Sequence, residues 1–143
     1  MNHQATLFVR LQAVGFHYWP NASSRTAYLR SQHRHVFHVE VSVDSPIDDE
    51  RSIEFHDLLD RSHFVLQGVA EGSGDRGLYF GAKSCETIAF QMAKRLCRIY
   101  KTVVQVSVSE DGECGATVSA DLEDLEEHLL PTIEQIPNWR IST

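Results

Sequence analysis

Two long stretches of strict apolar–polar alternation limit the folds open to this chain. From Leu7 to Tyr18, residues Leu7, Val9, Leu11, Ala13, Gly15 and His17 fall on one face, and Phe8, Arg10, Gln12, Val14, Phe16 and Tyr18 on the other. From His33 to Asp44 the same period returns, with His33, His35, Phe37, Val39, Val41 and Val43 together and Arg34, His38, Glu40, Ser42 and Asp44 opposite. A period of two is the signature of a half-buried strand. The intervening Pro20-Asn21-Ala22-Ser23-Ser24 is turn and loop chemistry, so the two strands form a hairpin with a wide connection.

The spacing then changes. Phe55, Leu58, Leu59, Leu66 and Val69 suit an amphipathic helix after the acidic Asp48-Asp49-Glu50. Gly72-Ser73-Gly74-Asp75-Arg76-Gly77 is expected to be a loop. Ser84 is the N-cap of a second helix whose stripe is Ile88, Ala89, Met92, Ala93, Leu96 and Ile99. Alternation resumes from Thr102 with Val104, Val106, Val108 and Glu110 on one face, Asp111-Gly112 as a turn, and a return strand from Ala116 to Ala120. A short C-terminal helix, Leu122 to Leu130, stops at Pro131. The sequence thus predicts an α+β domain in ββααββ order: a four-stranded antiparallel sheet with two helices on one face and an extra C-terminal helix. At 143 residues with 42% apolar content, residues 1–143 are expected to form a single domain.

Composition narrows the function. A net charge of -7 disfavours binding along nucleic acid, so a small ligand is expected. No apolar run is long enough for a membrane span and the N-terminus lacks a secretory pattern, which together point to a cytoplasmic protein without a membrane partner. Cys85, Cys97 and Cys114 are odd in number and lack a C-x-x-C spacing, which argues for reduced thiols rather than a disulfide framework or a thiolate knuckle.

The eight histidines are the chemical signal. His33 and His35, at i and i+2 on a strand, point the same way and can hold one ion. His17 ends the first strand where His33 opens the second, and antiparallel pairing brings those ends together. A catalytic Zn²⁺ takes three protein ligands and keeps one position open, so His17, His33 and His35 are the candidate metal ligands and Zn²⁺ the candidate cofactor. Each histidine alone would be an ordinary polar residue at a strand end; it is their joint placement that points to a metal. Glu110, ending the buried Val104-Val106-Val108 face, either needs hydrogen-bond donors that a ligand with N–H groups can supply or simply leaves the sheet toward water.

The run Gln32-His33-Arg34-His35-Val36-Phe37-His38-Val39-Glu40-Val41 resembles the His-x-His strand of the 6-pyruvoyl-tetrahydropterin synthase family, which includes the 6-carboxy-tetrahydropterin synthase of queuosine biosynthesis. Ser84-Cys85-Glu86-Thr87-Ile88-Ala89 is similar to the family's Thr-x-Glu helix start, Val106-Ser107-Val108-Ser109-Glu110 to its final strand, and Ile53-Glu54-Phe55 to the start of its first helix. The resemblance runs from about Leu7 to Ala120. It implies zinc on His17, His33 and His35, a pterin or purine-like ligand bound by Glu110 and Glu86, a lyase reaction on 7,8-dihydroneopterin triphosphate or a relative, and a homo-oligomer, a trimer or a dimer of trimers.

The family's base and relay are missing. Its enzymes carry a cysteine shortly before the His-x-His, where this chain reads Thr26-Ala27-Tyr28-Leu29-Arg30-Ser31-Gln32, and an Asp-His pair between the helices, where Ala70-Glu71 stands. Glu71 is the candidate catalytic base in their place, against the plain alternative of a solvated loop carboxylate. Cys85 at a helix N-terminus is placed either for a lowered pKa or for packing. His56, Asp60 and His63 share a helical face that suits solvent better than a second metal. The alternative to a lyase is a repurposed zinc-containing pterin- or purine-binding protein that has lost its proton relay.

Overall fold

The computed structural model describes residues 4–47 and 51–123. Strand β1 (Gln4–His17) pairs antiparallel with β2 (His33–Pro46) over its whole length, from Gln4 opposite Pro46 to His17 opposite His33. Strand β2 pairs with β5 (Val104–Glu110), and β5 with β6 (Cys114–Ala120), both antiparallel. The expected meander is present; β1 starts three residues earlier than predicted and ends at His17 rather than Tyr18, and β2 runs on to Pro46.

The sheet has six strands rather than the four predicted. The glycine-rich segment is not a loop: Gly72–Gly74 (β3) and Gly77–Tyr79 (β4) form a hairpin that continues the sheet past β1, giving the order β3-β4-β1-β2-β5-β6. Because β4 runs parallel to β1, the sheet is mixed rather than antiparallel throughout. Glycine normally marks loops, which conceals the hairpin in the sequence. Here Gly77 has φ +145°, and a Cβ on it would lie 2.4 Å from the carbonyl oxygen of Val14, so glycine is what lets β4 approach β1. The wide connection between β1 and β2 also holds more order than expected, a 3-10 helix over Ser24–Arg30.

Helices α1 (Phe55–Val69) and α2 (Cys85–Tyr100) form where the apolar spacing places them. Glu54 caps α1 by accepting from the Asp57 N–H, and Ser84 caps α2 by accepting from the Thr87 N–H. Leu58, Leu66 and Val69 of α1 and Ile88, Met92 and Leu96 of α2 pack with Val39, Val41, Val104 and Val106 of the sheet in one continuous core. At about 25 cal/mol per Å² of apolar area removed from water, this layer supplies most of the favourable folding free energy. Of the C-terminal helix expected over Leu122 to Leu130, residues 124–130 lie outside the described residues.

Candidate metal centre and ligand cavity

Strand parity and register assemble the centre. His17 sits directly across from His33, and His35 is across from Gly15, so three imidazoles share the inward face at one end of the β1–β2 pair. Ring centroids are 4.6 Å apart for His17 and His33, 4.9 Å for His33 and His35, and 5.3 Å for His17 and His35. One ligand nitrogen from each ring lies within 4.8 Å of the other two. Among the described residues this is the group with metal-ligand geometry. His56 instead bonds Glu54 at 2.9 Å on an exposed face, and the His56, Asp60 and His63 face forms no such group.

Hydrogen bonds decide which nitrogen each ring offers. His17 Nδ1 lies 2.9 Å from the Lys83 carbonyl, His33 Nδ1 lies 2.9 Å from the Ser31 carbonyl, and His35 Nδ1 lies 2.7 Å from Asp111 Oδ2. All three partners only accept, so each Nδ1 carries a proton and each Nε2 is the nitrogen left to face an ion. That is how histidines are oriented when they bind metal through Nε2. Burial holds the pKa of His17 below its usual value, which favours the neutral form that metal binding needs.

The donor set fits zinc on a further count. His35 Nε2 is buried without a hydrogen-bond partner, although Glu110 Oε2 lies 3.0 Å away. An imidazole nitrogen and a carboxylate oxygen this close need a positive charge between them, which either a proton on Nε2 or a bound cation supplies. Imidazole nitrogens at an open three-ligand site are a donor set that Zn²⁺ accepts.

Glu110 lies closer to the imidazoles than the sequence implies. Its Oε1 is 3.6 Å from His17 Nε2 and 4.0 Å from the Cys85 thiol, so the carboxylate spans the gap between the histidines and the start of α2. Burial, followed by the charge of Glu110, pushes the Cys85 thiol up to about 12, so packing prevails over the lowering that a helix N-terminus would give.

Glu110 lines a cavity of about 500 Å³ together with His17, His33, Glu86, Lys83 and Trp19. That volume is ample for a fused bicyclic ring with a side chain. The floor behind the imidazoles is Phe37, whose ring meets His17 edge-on at 5.2 Å and His35 at 5.8 Å. Glu71 is not among the lining residues. It is exposed, with its carboxylate against Gly81, whose φ of +63° and lack of a Cβ leave the space that carboxylate fills.

Sequence reasoning missed Asp111 and Lys83. Asp111 follows the last apolar alternation and carries the composition of a turn, while Lys83 contributes through its main chain, which no side-chain pattern announces. Register would have found Asp111, since β5 ends opposite Phe37 and brings the turn beside His35.

No helix among the described residues is long and apolar enough to cross a membrane. No protein-family profile and no curated protein matches the sequence. Solved structures do match in shape. The 6-pyruvoyl tetrahydropterin synthase of Plasmodium vivax superposes with a TM-score of 0.57 at 12% identity, covering 84% of this chain and 99% of that one. The Plasmodium falciparum enzyme gives 0.52 at 15% identity, covering 85% and 100%. A P. vivax variant altered at a catalytic glutamate gives 0.52 at 11% identity, covering 84% and 99%. At these identities the likeness is one of architecture: this chain has the fold of the 6-pyruvoyl tetrahydropterin synthases.

Proposed function

We propose that the protein is a zinc-dependent carbon–oxygen lyase of the 6-pyruvoyl/6-carboxy-tetrahydropterin synthase type, cytoplasmic, acting on 7,8-dihydroneopterin triphosphate or a related pterin. The observation that carries this reading is the convergence of three imidazole nitrogens beside a cavity lined by Glu110 and Glu86. His17, His33 and His35 would hold the zinc, which when bound supplies Lewis acidity to the ligand's side-chain oxygens and so acidifies the adjacent C–H.

Glu110 and Glu86 accept hydrogen bonds from the amino-pyrimidine edge of the ring, and Trp19 offers an apolar wall at the cavity mouth. The Glu110 carboxylate lies against His17 and His35 while it lines the cavity, so ring binding would draw on a group already shared with the imidazoles. Glu71 is the candidate for proton transfer and would have to turn from Gly81 toward the cavity to serve. A glutamate is the altered catalytic residue in the P. vivax variants, which supports a carboxylate in place of a thiol as the base. Association into a trimer or a dimer of trimers would cover the sheet edges that β3 and β6 form among the described residues.

Zinc-loaded protein given 7,8-dihydroneopterin triphosphate should release inorganic triphosphate, and E71Q should abolish release while retaining pterin binding. The exposed position of Glu71, outside the cavity lining, favours a second reading as a pterin- or purine-binding protein without turnover. That reading is supported if the ligand binds and is recovered unchanged.

A further inference from the structure

We infer that Asp111 is a positioning residue of the metal centre, a carboxylate that fixes His35 with its proton on Nδ1 and its Nε2 lone pair turned toward the ion. The inference rests on the zinc reading above and concerns a residue that lies outside the proposed ligand set.

Asp111 is held at three points. Its N–H donates to the Val36 carbonyl at 2.7 Å, its Oδ1 accepts from the Val36 N–H at 2.8 Å, and its Oδ2 accepts from His35 Nδ1 at 2.7 Å. The turn is built to place it. Asp111 has φ +57° and Gly112 φ +74°, so the chain leaves β5 in the left-handed region, which Asp and Asn tolerate better than other side chains. The carboxylate therefore returns across β2 next to His35, where both of its oxygens find donors on that strand.

The other two rings are fixed differently. His17 and His33 each donate to a main-chain carbonyl, which a side-chain replacement leaves in place. Among the described residues, Asp111 is the side chain that accepts from an Nδ1 of the cluster. It is also charged, and a carboxylate behind an imidazole raises the basicity of the ligating nitrogen more than a carbonyl does. The centre should thus owe part of its affinity to a residue one position beyond Glu110, through His35 rather than through any contact with the ion.

Asn at position 111 suits the same backbone and keeps an oxygen for the Val36 N–H, but then turns an NH₂ group toward His35 Nδ1. Two donors cannot face each other, so His35 must move its proton to Nε2 and withdraw the lone pair. The test compares wild type, D111N and D111A for zinc affinity by chelator competition, for the His35 tautomer by imidazole ¹⁵N shifts in the metal-free protein, and for the metal-free Tm.

The expected result is a zinc affinity lower by about 10–100-fold in both variants, an Nδ1–H tautomer in wild type replaced by Nε2–H in D111N, and a metal-free Tm for D111N close to that of wild type. Wild-type zinc affinity in both variants overturns the inference. A loss of affinity with an unchanged His35 tautomer also overturns it, because Asp111 would then act only through the fold. Wild-type protein that binds no zinc defeats the metal reading instead, and the tautomer measurement on the metal-free chain still decides what Asp111 does to His35.

Discussion

His17 Nδ1 and the carbonyl oxygen of Lys83 stand 2.9 Å apart, which ties the candidate metal centre to the segment that leads into α2. The Lys83 ammonium reaches the other way and donates to the carbonyl of Val69 at the end of α1. One residue therefore links a helix terminus to a candidate metal ligand, and burial lowers the pKa of its ammonium, the mark of a group partly withdrawn from water. K83M retains the apolar stem and removes the donor. With solvent screening at the cavity mouth, the lost bond should cost about 1 kcal/mol, read as a lower urea midpoint. Zinc affinity should fall by a few-fold as the carbonyl that orients His17 loosens.

Removal of a ligand is the direct test of the centre. His33 and His35 are only partly buried, so H33A and H35A should fold. Each leaves two imidazoles for an ion that takes three protein ligands at an open site. Metal analysis of purified protein should find zinc with wild type and little with either variant, and zinc should raise the Tm of wild type alone.

Gly15 occupies the position across from His35, and a Cβ there would lie 2.8 Å from the rings of both Phe37 and Phe80. Those rings are rigid and fully buried, so they must shift together. G15A should destabilise the protein by about 1–3 kcal/mol through overpacking, measured by urea unfolding. It should also weaken zinc binding, because Phe37 backs His17 and His35 edge-on.

The long strands and both helices were legible because a single rule acts at each position: alternate residues of β1 and β2 enter the core, and α2 buries a stripe at helical spacing. The three histidines followed from the same parity with hairpin direction, and their convergence needed no more than register. The β3–β4 hairpin was illegible because its Gly77 serves a close approach to β1 that depends on a distant partner, Val14. The outer hydrogen bonds to the imidazoles were hidden for a related reason. Lys83 and Asp111 are brought to the rings by tertiary structure and Ser31 by the local chain path, and Lys83 and Ser31 act through main-chain atoms that every residue possesses.

Cys85 provides a pH-dependent test. Its thiol is pushed from the ordinary 9.0 up to about 12, by burial first and by the Glu110 charge second. In the folded state it stays protonated where the unfolded chain has begun to ionise, so the unfolded state binds fewer protons between pH 9 and about 12. A group whose folded pKa is raised contributes stability below its unfolded pKa and loses it as pH climbs toward the folded one. The urea midpoint should therefore decline above pH 9, and C85S should decline less steeply. At pH 8 a thiol reagent should modify the exposed Cys114 in the native protein while the buried Cys85 and Cys97 stay protected until denaturant is added. Rapid labelling of Cys85 in the folded protein would contradict the burial that keeps it from serving as the nucleophile or base of this site.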